Sequence, residues 1–438
     1  MKIKQLILTT ATLGLVSVAA QAQTNDQLQQ ALAQAQAAAA QAQAAANQAQ
    51  AALEQLLAAV AQARQAGVEA KTAAEADKGN LLTFQNGPNS VTLYGLIDAT
   101  VSNKSNANAA GQSLTGYQDA WFSGNRWGIT GSHDLGKDGL KAVFRLESEF
   151  NYRDGVNPDA PSLFNRDAWL GLESDGLGKL TFGRQNTLPR DFSQTYGDPY
   201  GTAAVNLNEG GWTNNNNFKQ MIFYAGSATG TRYNDGVVWK KKIGDKIVAG
   251  LGYQFGGVPG DFSKGSTKAA ALAYNGGAFN ASGFINSANV GGSTHQSYSF
   301  GGNYQFDLIR LNAGYFNYKT DQTAAVGQRK DTGLTVSAKF TPAGKFDYEV
   351  GYQIMNANNA GLNASGFVLN AFANAGAVTK TGTGKRKTLY GSVFYRLDPS
   401  TDLYFAADKL DTTNTYLAAQ ANGAKTQTEV AVGFRFKF

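Results

Sequence analysis

The chain has 438 residues and no cysteine, which excludes a disulfide framework and any thiolate metal site. Hydrophobic residues make up 42% and charged residues 16%, an average that suits a soluble protein but does not exclude a membrane barrel, whose lumen face is polar. Its 51 glycines, 25 phenylalanines and 19 tyrosines, against eight prolines, fit a chain of strands and turns, with a formal charge of +6.

The N-terminus reads as an export leader. Lys2 and Lys4 precede a short apolar run from Leu6 to Ala19, followed by Ala20-Gln21-Ala22, an A-x-A cleavage pattern. Residues 1–22 are therefore expected to be a signal peptide. The run is short for a spanning helix, which needs about 20 apolar residues, and no later segment approaches that length. Any membrane insertion must then use strands.

Ala/Gln-rich sequence follows. In steps of four and three, Leu28, Leu32, Leu53, Leu56 and Val60 fall on one heptad seam with an alanine middle. Alanine has the highest helix propensity, so residues 23–78 are expected to form a coiled-coil helix, here placed in the periplasm. A parallel self-associating bundle would bury the seam. Contact with the cell wall is a further expectation. Residues 79–90, with the Asn86-Gly87-Pro88-Asn89 turn cluster, read as a linker.

From residue 91 to the end the period is two. VTLYGLIDATV sets Val91, Leu93, Ile97, Ala99 and Val101 against Tyr94, Asp98 and Thr100. LKAVFRLESEF sets Phe144 and Leu146 against Lys141, Arg145, Glu147 and Glu149; EVAVGFRFKF closes the chain with Val430, Val432, Phe434, Phe436 and Phe438 on one parity. Strands are expected near 91–101, 125–133, 139–152, 163–173, 179–187, 232–241, 246–256, 268–275, 278–287, 296–305, 308–319, 331–340, 345–356, 387–396, 402–410 and 426–438. That is an even number of strands, with short turns alternating with long loops such as 102–124, 257–267 and 357–386. This asymmetry predicts a 16-stranded antiparallel transmembrane β-barrel with periplasmic turns. The fold class is all-β transmembrane with an N-terminal helical segment, the barrel occupying 91–438.

These segments also carry a resemblance. SVTLYGLIDATV, NRWGITGSHDLGKDGLKAVFRLESEF, FNRDAWLGLESDGLGKLTFGRQNT, DPYG, RYND and the terminal FRFKF resemble, in order, the neisserial and betaproteobacterial general porins of Gram-negative outer membranes. The likeness is densest through about residue 240. It implies a homotrimeric sixteen-stranded channel for small hydrophilic solutes, with the third long loop folded into the lumen. It also implies that Phe438 is the signal read by the barrel-insertion machinery. The Ala/Gln segment stands outside that pattern, and the loop at about 186–231 is longer than the pattern leads one to expect.

Parity suggests the pore chemistry. Arg126, Lys141, Arg145, Arg166 and Arg232 lie along one stretch of wall, while the loop carries Asp191, Asp198 and Glu209. A basic wall facing an acidic loop would set a transverse field that filters ions by sign. Arg184 shares its parity with Leu180 and Phe182 and so points outward, whereas the resemblance puts it at the constriction; a bulge near Gly183 would reconcile the two. Without Lys2 and Lys4, and without 23–90, which holds three basic and five acidic residues, residues 91–438 keep a charge of +6. A basic barrel with a basic wall favours anions.

Other functions fit less well. His133, read in a turn, and His295, read in a loop, have no Ser/Asp constellation, so neither catalysis nor a metal or cofactor site is expected. A trimeric adhesin would carry few strands per chain. A substrate-specific channel, for example for dicarboxylates, is the rival reading. Expected partners are outer-membrane lipid and lipopolysaccharide, the insertion machinery, small solutes and anions, and no nucleic acid.

Overall fold

The computed structural model describes residues 82–416 and 422–438, with eight isolated helical positions between Gln29 and Ala51. The leader and the seam residues Leu28, Leu32, Leu53, Leu56 and Val60 lie outside the described residues. No helix among the described residues is long and apolar enough to cross a membrane, so the crossing is made by strands.

The alternating sequence folds into strands β1 (Leu82–Asn86), β2 (Asn89–Lys104), β3 (Leu114–Asp119), β4 (Arg126–Asp134), β5 (Lys141–Glu149), β6 (Asp167–Ser174), β7 (Gly178–Asn186), β8 (Arg232–Ile243) and β9 (Ile247–Gln254). They continue as β10 (Thr267–Asn275), β11 (Phe279–Val290), β12 (Ser293–Phe306), β13 (Ile309–Asp321), β14 (Gln328–Phe340), β15 (Phe346–Gly361), β16 (Thr381–Asp398), β17 (Thr401–Thr412) and β18 (Thr426–Lys437). Pairing is antiparallel throughout, and β18 closes the ring on β2 from Lys437↔Leu96 to Glu429↔Lys104. Closure leaves no free edge.

These segments make sixteen wall positions. The first half of β2 pairs with β4 and the second half with β3, so β3 and β4 are one wall strand interrupted at 120–125. β1 pairs with the first half of β2, in line with the end of β18. Two segments therefore differ from the sequence expectation. The stretch read as linker contains β1, because Gly87-Pro88 makes a two-residue hairpin rather than a chain break, with Gly87 at φ 55°. The loop read at 102–124 contains β3. The chain end is tied down as well: Gly95 N donates to Phe438 O at 2.9 Å, and Phe438 N donates to Gly95 O at 3.1 Å.

The two faces separate as parity requires. On β18, Val432 is 56% exposed, while Ala431 is 2% and Glu429 1% exposed. The outward apolar side chains form a lipid-facing belt, and aromatic pairs such as Tyr304–Phe306 and Phe346–Tyr395 ring its short-turn end. Val432→Arg is expected to cost roughly 2–4 kcal/mol in bilayer refolding titrations, while Val432→Leu costs little. Equal stability of the two variants would reverse the facing.

The loop after β7 turns into the barrel. Thr187 caps helix α1 (Leu188–Gly197), its hydroxyl accepting from Arg190 N, and Pro189 fits the first turn, where no backbone donor is needed. The helix packs on the inner face of β10–β13. Space for it comes from missing side chains: a Cβ on Gly301 or Gly314 would lie 2.5 or 2.3 Å from the Tyr196 ring. The Tyr196 hydroxyl sits 2.7 Å from Ser299 Oγ. Past α1 the loop crosses to β13 and β16, where Arg310 Nη2 donates to Pro199 O at 2.6 Å and Arg386 Nη2 to Asn216 O at 2.9 Å. It returns through a 3-10 turn, Lys219–Ala225.

Candidate functional site

The interruption between β3 and β4 builds the first side of the site. Residues 120–125 fold inward, with Trp121 and Phe122 buried against Phe394, Tyr404, Ala406 and Ala431. Buried Asp98 holds this turn: its Oδ2 accepts from Phe122 N and Ser123 N, each at 2.9 Å. Gly124 then passes so close to the wall that a Cβ there would lie 2.7 Å from Glu149 Oε1 and 3.0 Å from Arg166 Nη1. Arg126 follows, its Nε donating back to Gly124 O at 2.8 Å.

Four of the arginines read from parity converge here, but carboxylates of the same wall stand among them. Glu147, 1% exposed, accepts from Arg166 and Arg145, and lies 3.9 Å from Arg126. Arg166 also bonds Glu149. Asp167 lies 3.1 Å from Arg145 Nε and 3.7 Å from Arg232 Nε. Tyr94 is shared, taking a 2.7 Å hydrogen bond from Arg145 Nε and giving one of 2.9 Å to Glu147. The guanidinium groups are thereby held rigidly without being fully neutralised.

The loop corrects the expected acidic partner. Asp191 faces Lys240, with Nζ at 2.5 Å, and accepts from Asn186 and Gly210 N. Asp198 ends α1 and accepts from Thr213 N at 2.5 Å and Tyr200 N at 2.9 Å, so it fastens the loop to itself. Burial pushes its carboxyl up to about 6. Of the three, Glu209 reaches the arginine side, within electrostatic range of Asp167 and Arg145. Burial, with Asp167 and Asp191 alongside, pushes its carboxyl well above the usual carboxylate range, which favours the neutral form.

What the loop does bring to the site is positive. Arg190 of α1 lies buried beside Arg232 and Arg166; burial and those two charges push it down to about 9. Lys219, opening the 3-10 turn, is within electrostatic reach of Glu149 and Arg190, and burial lowers its pKa. Neither residue had been singled out in the sequence. Arg190 lies next to Asp191 in the chain, and only the helix turn sends the two in different directions.

Two expected wall residues stand apart. Lys141 has the inward parity but lies exposed at the short-turn end. Arg184 stays on the outward parity, donating to Asn165 O at 2.8 Å and to Asn234. A bulge does occur beside Gly183, but the extra residue is on β8, between Tyr233 and Gly236, so Arg184 is not turned inward. Both histidines are on strands rather than in connections: His133 pairs with Asn89 on β2, and His295 on β12 lies 2.7 Å from the Tyr318 hydroxyl. No cluster of metal-ligating side chains occurs among the described residues.

Comparison with known proteins adds the lineage. A family profile described as Gram-negative porin matches residues 31–415. An outer membrane porin protein of Bordetella pertussis is 29% identical over 351 residues, covering 72% of this chain and 87% of that protein. Outer membrane porin protein 32 of Delftia acidovorans is 40% identical over 95 residues, 22% of this chain and 26% of that one. Among solved structures, the anion-selective porin from Comamonas acidovorans superposes with a TM-score of 0.59 at 22% identity, covering 80% of this chain and all of that one. OmpT of Vibrio cholerae in its trimer form gives 0.54 at 14% identity, covering 80% of this chain and 99% of that one.

Proposed function

Because the chain belongs to the Gram-negative porin family and is an outer-membrane channel for passive diffusion of small hydrophilic solutes and ions, we propose that its constriction prefers anions. One observation carries this reading. Arg126, Arg145, Arg166 and Arg232 from the wall, with Arg190 and Lys219 from the loop, outnumber Glu147, Glu149, Asp167 and Glu209, and burial biases Glu209 toward its neutral form. In a narrow aqueous gap that excess raises the local concentration of anions. The anion-selective description of the Comamonas porin supports it by analogy. In planar bilayers under a salt gradient, the reversal potential is expected on the anion side; a potential at zero or on the cation side overturns the reading.

Cations approaching from wall and loop also favour a narrower reading, a channel selective for dicarboxylates, whose two charges would meet both sides. Liposome swelling by a small sugar, inhibited by millimolar dicarboxylate but not by chloride, would support it. No reaction is assigned to the protein.

The assembly is read as a homotrimer, as the sequence resemblance implies and as the trimer form of OmpT illustrates. Phe438 is read as the signal for the insertion machinery, and residues 23–78 as a periplasmic coiled coil. The coil reading rests on the heptad seam, whose strength concentrates in Leu53, Leu56 and Val60. Asparagine at those three positions is expected to release a peptide of residues 24–78 from trimer to monomer in sedimentation equilibrium. A wild-type peptide that is already monomeric would sink it.

A further inference from the structure

The lumen face of a water-filled barrel is polar as a rule, and one stretch of this barrel is not. From the short-turn end upward, the inward positions of β17 run Asp402, Tyr404, Ala406 and Asp408. Directly opposite on β18 stand Arg435, Gly433, Ala431 and Glu429. Charge thus lies above and below a band that has none. Below it Arg435 pairs with Asp402 at 2.7 Å; above it Glu429 meets Lys104 at 3.2 Å and Asp408 accepts from Asn217 Nδ2 at 2.7 Å. Phe394 on β16, opposite Tyr404, continues the band. Tyr404 lies across Gly433, where a Cβ would collide with its ring.

Side chains from the inward turn and from the loop cover this band. The Phe122 ring centroid stands 4.7 Å from those of Phe394 and Tyr404, and 4.5 Å from that of Tyr200 on the loop. Phe218, further along the loop, lies 4.4 Å from Tyr390 of β16 and 5.9 Å from Tyr200. Polar contacts fasten the edges: the Tyr200 hydroxyl sits 3.0 Å from Ser392 Oγ, and Asn214 N donates to Phe122 O at 3.1 Å. Phe122, Phe394, Tyr404, Ala406 and Ala431 are all buried. Phe122 therefore touches wall and loop at once, in the middle of an apolar layer between two charged ones. An ion entering such a layer gives up its water and gains no partner in return.

We propose that this layer is a dry septum, with Phe122 as its key residue, that closes a second path through the barrel along β16–β18 and confines solutes to the arginine-lined gap. The helix of the loop cannot do this, because α1 is seated on the inner face of β10–β13. Phe122 acts through position: it fills the space between Tyr200 on the loop and Phe394 and Tyr404 on the wall. The side chains above and below the layer carry both signs, so a path opened there would pass cations and anions alike. The role holds whichever sign the gap prefers.

The chain contains no cysteine, so single thiols report on a silent background. Ala406→Cys places one inside the layer, and Thr130→Cys places one on β4 directly opposite Arg145. In the full chain reconstituted in liposomes, a small uncharged water-soluble methanethiosulfonate is expected to modify Thr130→Cys and to leave Ala406→Cys unmodified. Adding Phe122→Ala to Ala406→Cys is expected to bring its modification up to the Thr130→Cys rate. In planar bilayers, Phe122→Ala alone is expected to raise single-channel conductance and to shift the reversal potential in a salt gradient towards zero. Phe122→Leu, which refills the layer with apolar volume, is expected to restore both. Added protease is expected to leave 187–231 intact in Phe122→Ala, since α1 keeps its own seat; cleavage there would mark Phe122 as an anchor of the loop and overturn the septum. Modification of Ala406→Cys as fast as Thr130→Cys, with Phe122 in place, also overturns it, and this arm decides even if Phe122→Ala fails to assemble. Conductance unchanged in an assembled Phe122→Ala channel overturns it as well.

Discussion

Replacing Arg126, Arg145 and Arg166 together by glutamine is expected to abolish anion preference and move the reversal potential in a salt gradient to zero or beyond. The substitution leaves Arg232, Arg190 and Lys219 against Glu147, Glu149 and Asp167, so the excess positive charge is gone. An anion 4 Å from one unit charge gains about 1 kcal/mol in water, about fivefold in local concentration. Three such charges make a loss of one to two orders of magnitude in the anion-to-cation permeability ratio the expected scale, with strong screening beyond about 8 Å at physiological salt. Lysine at the same three positions keeps the sign and is expected to keep selectivity, which separates charge from loss of packing. Glu209→Gln is expected to change selectivity far less than the arginine triple, because burial beside Asp167 and Asp191 already favours the neutral carboxyl. Substitutions at Lys137 and Lys345, on short turns, serve as distant controls. Selectivity unmoved by the glutamine triple would leave only a diffusely basic pore.

Gly314→Val is expected to open the channel. The new side chain would begin 2.3 Å from the Tyr196 ring, with wall backbone behind it, so α1 must leave the inner face of β12 and β13. Overpacking of this kind costs about 1–3 kcal/mol, and the Tyr196–Ser299 hydrogen bond is lost with it. The barrel strands keep their pairing. The loop does not keep its place, and with it go Arg190 and Lys219, so conductance is expected to rise severalfold while selectivity weakens. Added protease should then cut within 187–231 in the variant but not in the wild type. Combining Gly314→Val with Tyr196→Ala, which removes the colliding ring, is expected to recover part of the wild-type conductance. A variant with unchanged conductance and an intact loop would show that α1 does not set the opening.

The wall was legible in the sequence because a strand's facing depends on nothing beyond the chain itself. Val432 and Ala431 differ in exposure because one parity meets lipid and the other the lumen, and the same rule ran correctly through β5 and its arginine. It even kept Arg184 outward where the resemblance would have turned it in. Connection lengths likewise identified the end that carries the long loops. β1 and β3 were missed because each is short and follows turn-rich sequence; their pairing is decided by β2, which is distant from neither in sequence but offers its edge only when the ring closes on β18.

The constriction was only half determined. Which residues belong to the wall follows from parity, but what each charge faces depends on where a loop of more than forty residues lies, and period two says nothing about that. Asp191 and Asp198 looked like the acidic side of a filter. Folding instead spends one on Lys240 and the other on Thr213 and Tyr200, because a buried carboxylate is costly unless paired or hydrogen-bonded. The same economy sets Glu147 among three arginines and, by burial, biases Glu209 toward its neutral form. Alternation along the chain thus determined the barrel, its closure and its two faces. The sign and strength of the field in the gap were decided by tertiary structure, since electrostatic pairing acts through a few ångströms of space and takes no account of distance along the chain.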